Sequence, residues 1–179
     1  MKKIIFTFCI SLLALCGCVN GNNITTLEET NLDGYVNLND EQKNIFKEID
    51  VDSLNDIFKN NKKAVVYIGY AGCHFCQSAV VDMSNVALKN NLTIYYLDAT
   101  KIIETETEHK RVLELLDPIL TAPSLDEPKQ IYCPLTIRIS KGEIRGAFTG
   151  YREDLDMVSE YTEIMLEGGS KWISKEKHF

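Results

Sequence analysis

The chain lacks what several large classes of protein need. After its first 15 residues it has no apolar stretch long enough to span a bilayer, and no segment repeats another. This argues against a polytopic membrane protein and against a repeat architecture. Basic charge is scarce: 19 Lys and Arg face 26 Asp and Glu, a formal balance of −7. An acidic chain of this kind is poorly suited to nucleic acid or to non-specific adhesion on anionic lipid. Histidine is rarer still, with only His74, His109 and His178. None of them forms a second closely spaced ligand pair beside a Cys-x-x-Cys, as a structural zinc site normally requires. Cysteine is the exception, with six residues, and their placement carries most of the information.

The N-terminus bears on the compartment. Met1-Lys2-Lys3 is a short basic start, and Ile4 to Leu15 is a nearly uninterrupted apolar run. That is too short for a mature bilayer span and suited to a secretory h-region. It ends in Leu15-Cys16-Gly17-Cys18, which resembles the bacterial lipobox. The resemblance implies cleavage before Cys18 and diacylation of its sulfur; an ordinary signal peptide or an uncleaved anchor is the plainer reading. Asn20 to Asn23 with Gly21 reads as a flexible polar tether. The protein is then expected outside the cytoplasm, lipid-anchored to the cell membrane, where oxidised cysteines persist. Lys2 and Lys3 leave with the leader and no acid does, so the balance moves from −7 to −9. About 160 residues remain, enough for one domain with a proper core. Cys9 and Cys16 go with the leader and Cys18 is taken by lipid. Cys73, Cys76 and Cys133 are left as thiols.

Cys73 and Cys76 stand in Val-Val-Tyr-Ile-Gly-Tyr-Ala-Gly-Cys-His-Phe-Cys, directly after an apolar strand and at the opening of a helix. A sulfur on the first turn of a helix faces unpaired N–H groups and the positive end of the dipole, which stabilises its thiolate. The thiolate is the nucleophile of disulfide exchange, and a second cysteine three residues on can resolve the mixed disulfide.

The rest of the chain frames this pair. Residues 19 to about 40 are polar, extended or disordered, and Asp40-Glu41-Gln42 starts a short helix. Ile45 to Asp50 is ambiguous between strand and helix. Asp52 or Ser53 caps a helix burying Leu54, Ile57 and Phe58, which stops at Asn60-Asn61. Ala64 to Ile68 reads as a strand buried on both faces. Ala79, Val80, Met83 and Ala87 form the inner stripe of a helix running to about Lys89. Leu92 to Leu97 is the next strand, and strand-helix-strand with short links implies parallel pairing. Glu104 to Leu120 is a charged helix with Val112, Leu115, Leu116 and Ile119 inward, broken at Pro118; Thr121 to Gln130 is a loop. Leu135 to Ile139 alternates apolar and polar, Ser140 to Glu143 turns, and Ile144 to Thr149 returns as an antiparallel hairpin. A helix from about Arg152 to Leu166 buries Leu155, Val158, Tyr161 and Met165, with Gly168-Gly169 as its stop.

This order, with Cys-x-x-Cys at the first helix of the core, resembles the thioredoxin family over roughly Ile45 to Leu166. Pro134, followed by Gly142-Glu143 and then Gly150, matches the family's cis-proline hairpin. The lead-in and the Tyr-Ile-Gly before the motif are most similar to the small exported thioredoxin-like proteins grouped with bacteriocin transport accessory proteins. The resemblance implies an α/β thioredoxin fold, a central mixed sheet flanked by helices, over residues 45–167. It would be preceded by a signal peptide at 1–17 and a lipidated tether and lead-in at 18–44, and followed by a tail at 168–179. It implies catalysis by Cys73 as attacker and Cys76 as resolver, and a peptide groove shaped by Cys133 and Pro134. No cofactor is implied.

Four departures bear on mechanism. Cys133 precedes the proline; it is a small apolar filler, a third redox thiol or a soft metal ligand. Tyr67 stands where the family often has a buried acid, and Gly72 where thioredoxin has tryptophan, which makes the rim less aromatic. His74 lies one residue before the histidine of the oxidase and isomerase motifs. Protonated, it would lower the Cys73 pKa and make the disulfide more oxidising; otherwise it is a solvated histidine. The function expected is a thiol-disulfide oxidoreductase acting on cysteines of exported proteins or of a membrane redox partner, with direction open. A non-catalytic accessory lipoprotein is the alternative. A soft-metal protein using Cys73, Cys76, Cys133 and His74 is a further one, although His74 sits inside the motif's loop and closure by all four is strained.

Overall fold

The computed structural model describes residues 22–120 and 127–166, and the backbone of 172–173. The leader, Cys18 and most of the tail therefore lie outside the described residues. Apolar side chains in the described part collect into two clusters on the two faces of one sheet.

The sheet is mixed. Strands β1 (Phe46–Glu48), β2 (Ala64–Gly69), β3 (Ile94–Asp98), β4 (Leu135–Ser140) and β5 (Glu143–Thr149) stand in the order β1-β3-β2-β4-β5. β1 and β2 both run parallel to β3, whereas β4 is antiparallel to β2 and to β5. A two-residue strand, β6 (Trp172–Ile173), adds its backbone in parallel to β5. The short segment after Ile45, ambiguous in sequence, is thus the edge strand β1.

Helices cover both faces. α1 (Asp40–Asn44), α3 (His74–Lys89) and α6 (Met157–Leu166) lie on one side; α2 (Val51–Lys59), α4 (Ala99–Ile102) and α5 (Glu106–Leu116) lie on the other. The caps explain the helix starts. Asn39 and Gln42 make a reciprocal capping box for α1, and the Asp50 carboxylate accepts the Ser53 N–H at 2.7 Å. The α2 cap is therefore Asp50, two or three residues before the expected Asp52 or Ser53. The charged segment after β3 is two helices rather than one: Asp98 caps the single-turn α4, Thr105 restarts the chain as α5, and Pro118 lies in a closing 3₁₀ turn, Asp117–Ile119.

β2 is buried at every position, as its composition requires. β4 is buried from Leu135 to Ile139 as well, although it alternates apolar and polar. Helices lie on both faces, so Thr136 and Arg138 point beneath α3 and α6 instead of into water. The Thr136 hydroxyl reaches the Met83 sulfur at 2.9 Å, and Arg138 Nε donates to the Ile164 carbonyl at 2.9 Å. Val158, expected inward on α6, is exposed; Met157, Tyr161, Ile164 and Met165 make the buried face. α6 itself begins at Met157, five residues later than expected.

The lead-in is not a loose spacer from Asn22 onward. Asn22 exchanges two 2.8 Å hydrogen bonds with the Lys63 backbone. The Leu27 N–H donates to the Glu48 carbonyl, and the Asn31 N–H to the buried Glu48 carboxylate, whose other oxygen takes Lys101. Ile24, Leu32, Tyr35 and Leu38 are buried against the domain. The segment forms a strap with no regular structure of its own and a full set of anchors.

This strap should carry stability. Leu32→Ala, at a site 3% exposed, should cost about 2–5 kcal/mol of unfolding free energy. Val36→Ala, at a site 80% exposed, should stay within about 0.5 kcal/mol. Urea titration of both variants checks the contrast.

Candidate active site

β2 ends at Gly69, and a tight turn through Tyr70 to Gly72 delivers Cys73 to the head of α3. The Cys73 N–H donates to the Tyr70 carbonyl at 3.1 Å. Cys73 has extended backbone and is itself the N-cap, its sulfur accepting the Cys76 N–H at 3.2 Å. Oxygen side chains usually fill this position. Here a sulfur does, and negative charge on it is favoured by the same N–H group and by a 16-residue helix behind it.

The two cysteines differ in access. Cys73 is half-buried and Cys76 fully buried. With Cys133 they are free thiols. Burial pushes the Cys76 thiol up to about 12, with Cys73 adding to the rise; the Tyr67 hydroxyl and the Tyr70 backbone N–H oppose it by favouring the thiolate.

The opposite wall is the segment before β4. The Cys133–Pro134 peptide bond is cis, as the resemblance implies, and the Cys133 carbonyl faces the Cys73 sulfur at 3.9 Å. The Gly150 N–H closes onto the Pro134 carbonyl at 2.7 Å, tying the end of the hairpin to its start. The Cys133 side chain packs against both core clusters, and burial pushes its thiol up to about 12. Pro134 is buried. Cys73, Cys76, Cys133 and Pro134 are thus brought together from two distant parts of the chain. His74, the first residue of α3, is exposed, its ring set edge-on to Phe75.

Sequence reasoning missed three features. The rim is aromatic despite Gly72: Tyr70, Phe75 and Tyr132 are large exposed rings at or beside the site, and the Tyr70 ring lies over Gly72, where an added Cβ would come within 3.3 Å of it. The strap also abuts the active-site turn. A Cβ at Gly34 would fall 2.4 Å from that of Ala71, and the Gln77 amide bridges the Gly34 and Ala71 carbonyls at 2.8 and 2.6 Å. Below Cys76 there is a tyrosine cluster where the family often keeps an acid. Tyr67 is fully buried, its ring stacked on Tyr96, with Tyr35 of the strap edge-on to both. Only the polar lead-in's spaced apolar residues hinted at the strap. The Asp98 carboxylate, opposite Gly69 across the sheet, is engaged in capping α4 through Thr100.

No family model and no curated protein matches the chain. Among the described residues, no group of three or more His, Cys, Asp or Glu is arranged to hold a metal ion, and no helix is long and apolar enough to cross a membrane. The fold is a thioredoxin-like α/β fold, and it carries a Cys-x-x-Cys pair at the start of a helix.

The buried thiols make alkaline stability depend on redox state. Cys76 and Cys133 rise from an ordinary 9.0 to about 12 in the folded chain, so the native state holds these protons more tightly than the unfolded state does. Stability of the reduced protein is then complete below about pH 9 and declines as pH rises from about 9 toward about 12. In the Cys73–Cys76 disulfide form one of these groups no longer titrates. Urea midpoints measured at about pH 8 and about pH 10.5 should fall more steeply for the reduced protein than for the oxidised one.

Proposed function

We propose that the protein is an extracytoplasmic thiol-disulfide oxidoreductase, anchored to the membrane by lipid on Cys18 and acting on cysteines of exported proteins or of a membrane redox partner. The observation that carries this reading is the asymmetry of the pair. Cys73 is reachable and sits on the positive end of a long helix, whereas Cys76 is sealed beneath it and donates its N–H to the Cys73 sulfur. In the reductive direction the Cys73 thiolate attacks a substrate disulfide, forms a mixed disulfide and expels one substrate thiolate. Cys76 loses its proton and attacks the Cys73 sulfur, closing the Cys73–Cys76 bond. The second substrate thiolate leaves and is protonated, and two electrons have passed to the substrate. The oxidative direction is the same sequence reversed.

Cys133 and Pro134 would line the peptide's path, and the Tyr70, Phe75 and Tyr132 rings would give it apolar contacts. His74 would act on Cys73 by charge, across the first turn of the helix. The exported, lipid-anchored placement rests on the Leu15-Cys16-Gly17-Cys18 sequence. The likeness to bacteriocin transport accessory proteins rests on the lead-in and on the residues before Cys73, and it makes an exported peptide or its transporter a natural partner class.

A Cys76→Ser variant should accumulate covalent adducts through Cys73 that dissolve in reductant, and Cys73→Ser should accumulate none. Non-reducing electrophoresis with mass analysis reads both. The equilibrium potential of the soluble domain then sets direction: about −120 to −180 mV for an oxidase or isomerase, near about −270 mV for a reductase. A pair still oxidised well below about −300 mV, with no adducts, would make the disulfide structural and overturn the enzyme reading.

A further inference from the structure

The resolving step requires Cys76 to carry negative charge in a place that disfavours it. Cys76 is fully buried, and an unpaired charge there is costly. Its sulfur lies in one core cluster with Tyr67 and Tyr35, and the groups that favour its thiolate there are the Tyr67 hydroxyl and the Tyr70 backbone N–H. Tyr67 gets there by lying along its own strand. It shares a face with Gly69 two residues on, and a Cβ at Gly69 would fall 2.2 Å from the Tyr67 oxygen. Gly69 is therefore the gap through which the phenol passes toward α3.

The Tyr67 oxygen is 3.2 Å from the Tyr35 hydroxyl, and the Tyr35 ring stands edge-on to Tyr96 with centroids 6.0 Å apart. A phenol has one proton to donate. Tyr67 can give its proton to Cys76 only if Tyr35 donates to Tyr67. The order Tyr35, Tyr67, Cys76 then has a single consistent direction, and the bond Tyr67 receives would polarise the one it gives. Three separate parts of the chain supply it: the strap, β2 and α3.

We propose that Tyr67, oriented by Tyr35, is the hydrogen-bond donor that stabilises the Cys76 thiolate during exchange, so that the strap completes the active site. The inference rests on the oxidoreductase reading above. The tyrosines keep their protons throughout. The proton released by Cys76 leaves with the departing thiolate, and the same bond stabilises Cys76 as leaving group when an incoming thiolate attacks Cys73. Tyr67 thus acts on the thiolate common to both directions and on neither end state. Other titratable groups around this pocket include Cys73, Cys133, Tyr161 and Asp98, with Glu48 beside Tyr96.

The test uses Tyr67→Phe and Tyr35→Phe, which keep the rings and remove the hydroxyls. Stopped-flow exchange with reduced and oxidised glutathione gives the rates of closing and opening the Cys73–Cys76 bond, and their ratio gives the equilibrium constant. A hydrogen bond to a charged sulfur predicts that Tyr67→Phe slows both rates by about tenfold or more at neutral pH. The equilibrium constant should change by less than about threefold. Tyr35→Phe should slow both by a smaller factor, and it provides the test if Tyr67→Phe does not fold. Rates within about twofold of wild type, or a loss confined to one direction, would overturn the proposal. Wild-type protein that exchanges no thiols with glutathione would instead overturn the oxidoreductase reading on which it stands.

Discussion

The junction between β2 and α3 is the constraint on which the site depends. A buried central strand must stop, turn within three residues and start a 16-residue helix whose first orphan N–H groups need an acceptor. The acceptor is the Cys73 sulfur. One atom is therefore both the structural cap of the helix and the candidate nucleophile. Its charge is favoured by the element it starts, and its position is held by the Tyr70 carbonyl behind it. Anything that moved the turn would disturb capping and chemistry together, which is why the strap's close approach to Ala71 at Gly34 and its hydrogen bond from Gln77 matter for function as well as for packing.

The two cysteines sit three residues apart on this junction and are unlike because the helix turns one outward and the other onto the sheet. Cys76 lands among Tyr67, Ala79, Val80 and Met83 in the cluster beneath α3. Burial protects it from solvent oxidants and makes its ionisation costly. Hydroxyl groups are a moderate answer to that cost. They lower the energy of the thiolate without adding a second buried charge, as a carboxylate in the same place would.

Much of this was legible in the sequence, and the reasons for the rest are physical. β2 is apolar at every position because helices cover both its faces, and that leaves a plain signature. Cys73, Cys76, Pro134 and Gly142 are readable because turns and helix starts demand particular residues. The strap was not readable: Ile24, Leu32, Tyr35 and Leu38 are spaced 8, 3 and 3 residues apart among Asn, Thr and acids, a pattern of neither helix nor strand. Its order comes from hydrogen bonds to the Glu48 carbonyl and carboxylate and from Asn22 to the Lys63 backbone. α4 escaped notice because four residues carry no period and Asp98 reads equally well as the end of a strand. Thr136 and Arg138 misled because alternation ordinarily means one wet face, and β4 has none. The Arg138 guanidinium instead spends a bond on the Ile164 carbonyl, near the end of α6.

The aromatic rim follows the same logic of position over type. Gly72 leaves the space beside Cys73 open, and the Tyr70 ring folds back over it. A tryptophan at position 72 would occupy that space with a group rooted in the turn itself. A tyrosine at position 70 reaches it from the turn that follows β2. Phe75 stands between the two cysteines in sequence and Tyr132 lies on the opposite wall, so the rings at the site come from two distant segments, the β2–α3 junction and the approach to β4. Apolar contact there is distributed over these three rings. A surface of that kind suits an extended peptide held by its backbone and read loosely by its side chains.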